Sequence, residues 1–274
     1  MNSARLANLP ANNLQHLWRT MTDPIRAVLF DLGNTLVYLD TPWAEIYEAN
    51  VKHIYEYLKN AGLRAEFEKF AITFVRAFEN ASADANVYKI EISMQEIIGK
   101  VLGKFGVKDP NLGFIQGAME AYYQPELHSW QLYPDAFESL LTLEKQGYLL
   151  GIISNYKSDW FIRAVLQRLE IAKFFTHIFT SAALGIRKPR SGIFLEALSA
   201  MNSRPSETVF IGDSLDADVI GARNVGMHAI YLRRNPSERT VIVVDPEATV
   251  SDLTEAIKVV NEWKRASSLS ESLT

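Results

Sequence analysis

The chain has 274 residues, 48% of them hydrophobic, which is enough for a sizeable core and for more than one average domain. Its 28 basic and 32 acidic residues leave a net charge of −4; a dominant nucleic-acid or anionic-membrane surface needs a basic excess, so neither partner is expected. There is no cysteine, which excludes disulfides, thiolate metal sites and cysteine nucleophiles and fits a cytoplasmic home.

Residues 1–24 form an N-terminal extension, polar and broken by Pro10. It lacks the apolar stretch of roughly 7–15 residues of a secretory signal, and no run in the chain approaches the roughly 20 apolar residues that cross a bilayer. The extension reads as a docking segment, as a loose tail, or as residues upstream of a start at Met21. Next comes IRAVLF at 25–30, a continuous apolar run of the kind that forms a buried parallel strand. The texture then changes. Between Leu36 and Pro134 no strand-like run appears, while 42–62, 64–81, 93–106 and 111–127 each carry a 3.6-residue apolar period. In 93–106 the stripe is Met94, Ile97, Ile98, Val101, Leu102 and Phe105. Four helices make a small bundle, so a helical cap is expected over 41–128, with hinges at 36–41 and 128–133.

Strand-like runs resume at 148–153, 177–180, 208–211, 229–232 and 241–244, with helical patterns between them, among others at 135–146, 160–169 and 193–201. Strands alternating with helices predict an α/β protein whose core is a Rossmann-like, doubly wound parallel sheet, assembled from 25–40 and 129–265 around the inserted cap. The tail at 266–274 is expected to fray.

In an open parallel sheet, ligands bind at the carboxyl ends of the strands. The first strand is followed by Asp31-Leu32-Gly33-Asn34-Thr35 and the second core strand by Ser154-Asn155. Gly185-Ile186-Arg187-Lys188-Pro189 opens a helix after the third, and Gly212-Asp213-Ser214-Leu215-Asp216-Ala217-Asp218 follows the fourth. Two carboxylate loops, a hydroxyl and a lysine are thus expected in one crevice. That set suits phosphoryl transfer. An aspartate attacks phosphorus to form an aspartyl-phosphate. A hard cation such as Mg²⁺, held by Asp31 and Asp213, removes the repulsion between carboxylate and phosphate. Lys188 adds a fixed positive charge, and Ser154 and Asn155 bind the remaining oxygens.

The same residues resemble the motifs of the haloacid dehalogenase superfamily, in the branch with a helical cap inserted after the first motif. FDLGNTL at 30–36 is similar to motif I, IISN at 152–155 to motif II, RKP at 187–189 to motif III and GDSLDAD at 212–218 to motif IV. Each is weak alone; four in order, each at a strand end, make a specific signal covering roughly 25–232. The resemblance implies a Mg²⁺-dependent phosphatase acting on a small phosphorylated metabolite. It makes Asp31 nucleophile and metal ligand, the Gly33 carbonyl and Asp213 further ligands, and Asp218 support for the metal waters or Lys188. Thr35 braces the motif I loop, and Ser154 and Lys188 hold phosphate.

One position departs from the pattern. The family's phosphatases carry a second aspartate two residues after the nucleophile, as general acid and base, and here that residue is Gly33. General acid–base catalysis is worth about 10²–10⁴-fold. The departure implies a slow enzyme, a preference for good leaving groups such as aryl or acyl phosphates, or another acid recruited from the cap. It also keeps open a catalytically weak protein that binds phosphate ligands. The metal-free dehalogenase alternative fits less well: those relatives usually lack the GD loop and carry an arginine soon after motif I, whereas Gly212-Asp213 is present and residues 36–45 contain no arginine. A phosphomutase relies on the missing aspartate.

Other candidates have plain readings beside the functional one. Ser154 is placed to cap the following helix. Asp216 is a solvated charge at a helix start. His53 lies on a cap helix, near substrate or in solvent. Tyr38, Trp43 and Tyr47 flank the first hinge, as pocket lining or as cap core.

Overall fold

The computed structural model describes residues 24–234 and 246–271, with side chains to residue 266. In chain order, β1 (Ala27–Phe30) is followed by β2 (Val37–Leu39) and four helices: α1 (Trp43–Asn60), α2 (Phe67–Tyr88), α3 (Met94–Lys104) and α4 (Leu112–Leu127). Then come β3 (Trp130–Leu132), α5 (Ala136–Lys145), β4 (Leu149–Ser154), α6 (Asp159–Arg168), β5 (His177–Thr180), α7 (Ser181–Leu184) and α8 (Ser191–Ala200). The chain continues through β6 (Thr208–Gly212), a wide helical turn at Leu215–Ile220, α9 (Gly221–Asn224), β7 (His228–Leu232), β8 (Ala248–Val250) and α10 (Leu253–Glu271).

Six of these strands form one parallel sheet in the order β5-β4-β1-β6-β7-β8. β1 is central and buried along its whole length, with Phe30 beside Ile152 of β4 and Ile211 of β6. Successive side chains point to opposite faces. Val28, Phe30, Ile152 and Ile211 enter one core with α5, α6, α10 and the four inserted helices. Ala27, Leu29 and Phe210 enter another with Ile193, Phe194 and Ala197 of α8. The strand order reverses about β1, so the crevice past its carboxyl end is where such a sheet binds ligands.

The inserted helices follow the predicted periodicity. In α3 the stripe Met94, Ile97, Ile98, Val101 and Leu102 is buried, and a reciprocal Ser93–Glu96 capping box fixes its start. α2 runs seven residues past the expected end at 81, because small buried Ala81 and Ala85 carry its inner face onward; it stops at Lys89, which takes the left-handed conformation (φ 53°).

Three differences from the sequence reading stand out. The hinges, read as free of strand, pair as a two-stranded antiparallel ribbon, Val37 with Leu132 and Leu39 with Trp130. Three-residue strands are too short to show an apolar period. The sixth core strand is β8, whose Ala-Thr-Val gives no apolar run; the run at 241–244 lies outside the described residues, as do 1–23. Finally, α10 passes through the predicted frayed tail to Glu271. No helix of the described residues is long and apolar enough to cross a membrane.

Candidate active site

The loop after β1 is wound tightly enough to turn its acid back over the sheet. The Asp31 amide donates to Ile211 O of β6 (2.9 Å), and Leu32 O accepts from the amides of Thr35, Leu36 and Val37. Asn34 takes the left-handed turn (φ 56°), which asparagine tolerates well. Thr35 Oγ1 donates to Asp31 Oδ2 at 3.4 Å. From behind, Arg234 donates twice to Thr35 O (2.7 and 3.2 Å), pairs with Asp135 (3.0 Å) and lies 3.7 Å over the Tyr133 ring.

Lys188 arrives from the loop before α8. The Asn155 carboxamide grips its backbone at both ends: Asn155 Nδ2 donates to Lys188 O (3.0 Å), and Lys188 N donates to Asn155 Oδ1 (2.8 Å). The buried ammonium then sits between Asp31 Oδ1 (2.6 Å) and Asp218 Oδ1 (2.7 Å). Burial disfavours its charge, but the two carboxylates outweigh that and hold its pKa above the usual lysine range.

Asp213 and Asp218 come from the end of β6 and the wide turn after it. Ser214 N donates to Asp218 Oδ2 (2.9 Å). Gly212 makes this fold-back possible, since a Cβ there would lie 2.3 Å from Asp218 Oδ2. Burial, then the charges of Asp31 and Asp218, push the Asp213 carboxyl up to about 7. Burial likewise lifts Asp218 to about 6, with Lys188 opposing and Asp31 adding. One oxygen from each of Asp31, Asp213 and Asp218 lies within 4.8 Å of the others. Three carboxylates therefore share one ammonium, an excess of negative charge that a hard divalent cation neutralises. The all-oxygen donor set fits Mg²⁺.

Asp31, Gly33, Ser154, Asn155, Lys188, Asp213 and Asp218 line one cavity of about 220 Å³, and Thr35 braces it from below. Ser154 is buried there, and Ser158, not Ser154, caps α6 by accepting from Phe161 N. Asp216 stays at the surface with Lys89 (3.4 Å), and His53 is exposed. Trp43 lines a second cavity of about 260 Å³, with Tyr47 stacked beside it (centroids 6.1 Å). Tyr38 packs on Tyr133 (4.9 Å).

Three residues that sequence reasoning did not single out shape the cavity roof. Trp130 and Tyr156 line the cavity, and the Trp130 ring stands over Gly33, where a Cβ would lie 3.5 Å from Cη2. Both are held by Glu126 of α4, which accepts from Trp130 Nε1 (3.1 Å), the Tyr156 hydroxyl and Asn50 Nδ2 of α1 (3.0 Å). Glu126 is fully buried, and burial, partly offset by these three donors, raises its pKa. The signal was an acid placed on the buried stripe of Met119, Tyr122 and Tyr123.

Known proteins resemble this chain along most of its length. The model of the haloacid dehalogenase-like hydrolase family matches residues 25–226. The chain is 28% identical to a glyceraldehyde 3-phosphate phosphatase of Pyrococcus furiosus, over 76% of this chain and 81% of the relative. It is 29% identical to a ribulose-1,5-bisphosphate 5-phosphatase of Halopiger xanaduensis, over 78% and 86%. The crystal structure of a 2-haloacid dehalogenase from Pseudomonas syringae superposes with a TM-score of 0.62 at 24% identity, over 87% and 99%, a likeness of fold.

Proposed function

Because the chain belongs to the haloacid dehalogenase-like hydrolases, we propose that it is a Mg²⁺-dependent phosphomonoester hydrolase acting on a small phosphorylated metabolite, with Asp31 as nucleophile. The observation that carries this reading is the convergence of Asp31, Lys188, Asp213 and Asp218 in one small cavity at the carboxyl end of the sheet. The phosphatase names of the relatives support it.

Asp31 and Asp213, with the Gly33 carbonyl, would hold the cation, and Asp218 would support it. When bound, the metal supplies charge neutralisation at the phosphoryl oxygens. Asp31 attacks phosphorus in line, the ester oxygen leaves, and water then cleaves the aspartyl-phosphate. Lys188 balances the equatorial oxygens from a fixed position, so little reorganisation is needed as charge moves onto them. Thr35 orients the nucleophile. Ser154 offers a hydroxyl to the phosphoryl group, and Asn155 serves phosphate binding mainly by fixing the Lys188 loop. The inserted helices act as the cap that excludes water.

The leaving group meets no carboxylic acid at Gly33; the Trp130 ring stands there instead. The site therefore favours esters whose leaving group departs as a stable anion, the phenolate of an aryl phosphate or the carboxylate of an acyl phosphate. Free-phosphate release from p-nitrophenyl phosphate in Mg²⁺ tests the reading. Asp31→Asn and EDTA are each expected to abolish it, and full activity in either case refutes the mechanism. The same Gly33 favours a second reading, a catalytically weak phosphate-ligand-binding protein, which slow hydrolysis with tight ligand retention would support.

A further inference from the structure

We infer that the alcohol part of the substrate carries a second anionic group, a carboxylate or a phosphate, received by Lys157 and Arg187 in the cavity beside the catalytic one. This deepens the phosphatase reading and depends on it only for which end of the ligand enters first. The two cavities share Asn155 and Tyr156, so a phosphoester seated at Asp31 extends naturally into the second. That space is about 260 Å³, below the roughly 300 Å³ at the small end of ligand sites. Phe78, Tyr122, Tyr123 and Tyr156 give it an aromatic wall, and Lys157 and Arg187 line it as well.

The charge count selects the ligand. Lys157 and Arg187 are only 11% and 18% exposed, and both turn to a single counter-ion, the fully buried Glu91. Its carboxylate is divided among Lys157 Nζ (3.2 Å), the Arg187 guanidinium and Ser181 Oγ (2.6 Å). Two cations facing one anion in a water-poor wall leave one positive charge unbalanced. Burial accordingly draws the Lys157 ammonium below its usual range, with Glu91 opposing and Arg187 adding to the fall. Lys157 Nζ also lies 5.4 Å from the Phe78 ring centroid, placing the charge at the edge of the aromatic wall.

Backbone bonds hold both cations in place. Met94 N donates to Lys157 O (2.8 Å), Arg187 N to Lys89 O (3.1 Å) and Glu91 N to Gly185 O (2.9 Å). The segment between α2 and α3 is thus stitched to the loops that carry the two cations. A preformed cationic end on an apolar slot fits a compact phosphoester whose alcohol is an aromatic or apolar acid.

The test compares four ligands by calorimetry on the full chain with Mg²⁺: phenylphosphonate, its 4-carboxy and 4-phosphono derivatives, and its 4-aminomethyl derivative. Either anionic derivative is expected to bind about tenfold tighter than phenylphosphonate, the gain of a charge-assisted contact. The stronger of the two identifies the natural anion, and the cationic derivative should show no gain. Lys157→Met should reduce the preference to within about threefold, and Lys157→Arg should restore it. Equal affinities in the wild-type chain, or no binding by any of the four, overturn the inference without recourse to a variant. Phenyl phosphate and 4-carboxyphenyl phosphate then separate the two proposals. Preferential binding of the anionic phosphonates with no phosphate release from either ester keeps the subsite and refutes the phosphatase. Release from both esters with equal phosphonate affinities does the reverse.

Discussion

Gly33→Asp is the most informative perturbation, because it supplies the acid that the sequence lacks. A Cβ at Gly33 would lie 3.5 and 3.6 Å from two Trp130 carbons, an ordinary contact, so the loop can keep its shape. The new carboxyl must then turn away from the indole and into the cavity that Gly33 lines, on the leaving-group side. There a carboxyl faces the departing alkoxide and can donate a proton to it. A well-placed general acid gives about 10²–10⁴-fold. With the indole limiting its freedom, the low end applies, about 10²-fold or 2.7 kcal/mol. The gain should appear in kcat/KM for an alkyl phosphate such as glycerol phosphate. It should be nearly absent for p-nitrophenyl phosphate, whose leaving group needs no proton. Free-phosphate detection in Mg²⁺ measures both. An unchanged ratio of aryl to alkyl rates, in a variant that folds as the parent does, refutes the account of Gly33.

Further outcomes follow from the same geometry. Lys188→Met should lower kcat about 10²–10³-fold, as loss of one fixed charge-stabilising donor does, and cost about 3–5 kcal/mol by leaving Asp31 and Asp218 buried without their cation; urea denaturation reads the second effect. Asn155→Ala removes two hydrogen bonds to the Lys188 backbone, worth about 1–3 kcal/mol together, and should depress kcat more than it raises KM. Glu126 sets a pH dependence of stability: its folded pKa is raised, so the folded state binds the extra proton, and stability is full below the ordinary value of 4.5 and falls as pH rises above it. Glu126→Gln removes that slope. A wild-type urea midpoint that rises relative to the glutamine variant between pH 4.5 and 7 would show the sign to be wrong.

The meeting of Asp31, Lys188, Asp213 and Asp218 in one crevice was readable because each follows an apolar run that only a buried parallel strand explains, and strand ends in such sheets converge. Helices α1, α3 and α4 were readable for a similar reason, their stripes being made of large side chains. What failed to register lacks large apolar side chains or depends on pairing. The end of α2 rests on alanines, β2 and β3 have three residues each, and β8 exists through its neighbour β7. Within the site, Trp130 and Tyr156 matter because Glu126, in a separate segment, orients both. No local pattern announces a partnership between a helix end, a hinge strand and a loop.

That partnership recurs. The helical insertion contributes two fully buried carboxylates, Glu126 from α4 and Glu91 from the segment between α2 and α3. Each takes two of its three side-chain donors from residues lining a cavity: Trp130 and Tyr156 around the one at Asp31, Lys157 and Arg187 around its neighbour. A buried charge stripped of its partners costs several kcal/mol, so the helices cannot move off the sheet while these donors stay where they are. Moving the insertion therefore means reshaping the walls of both cavities.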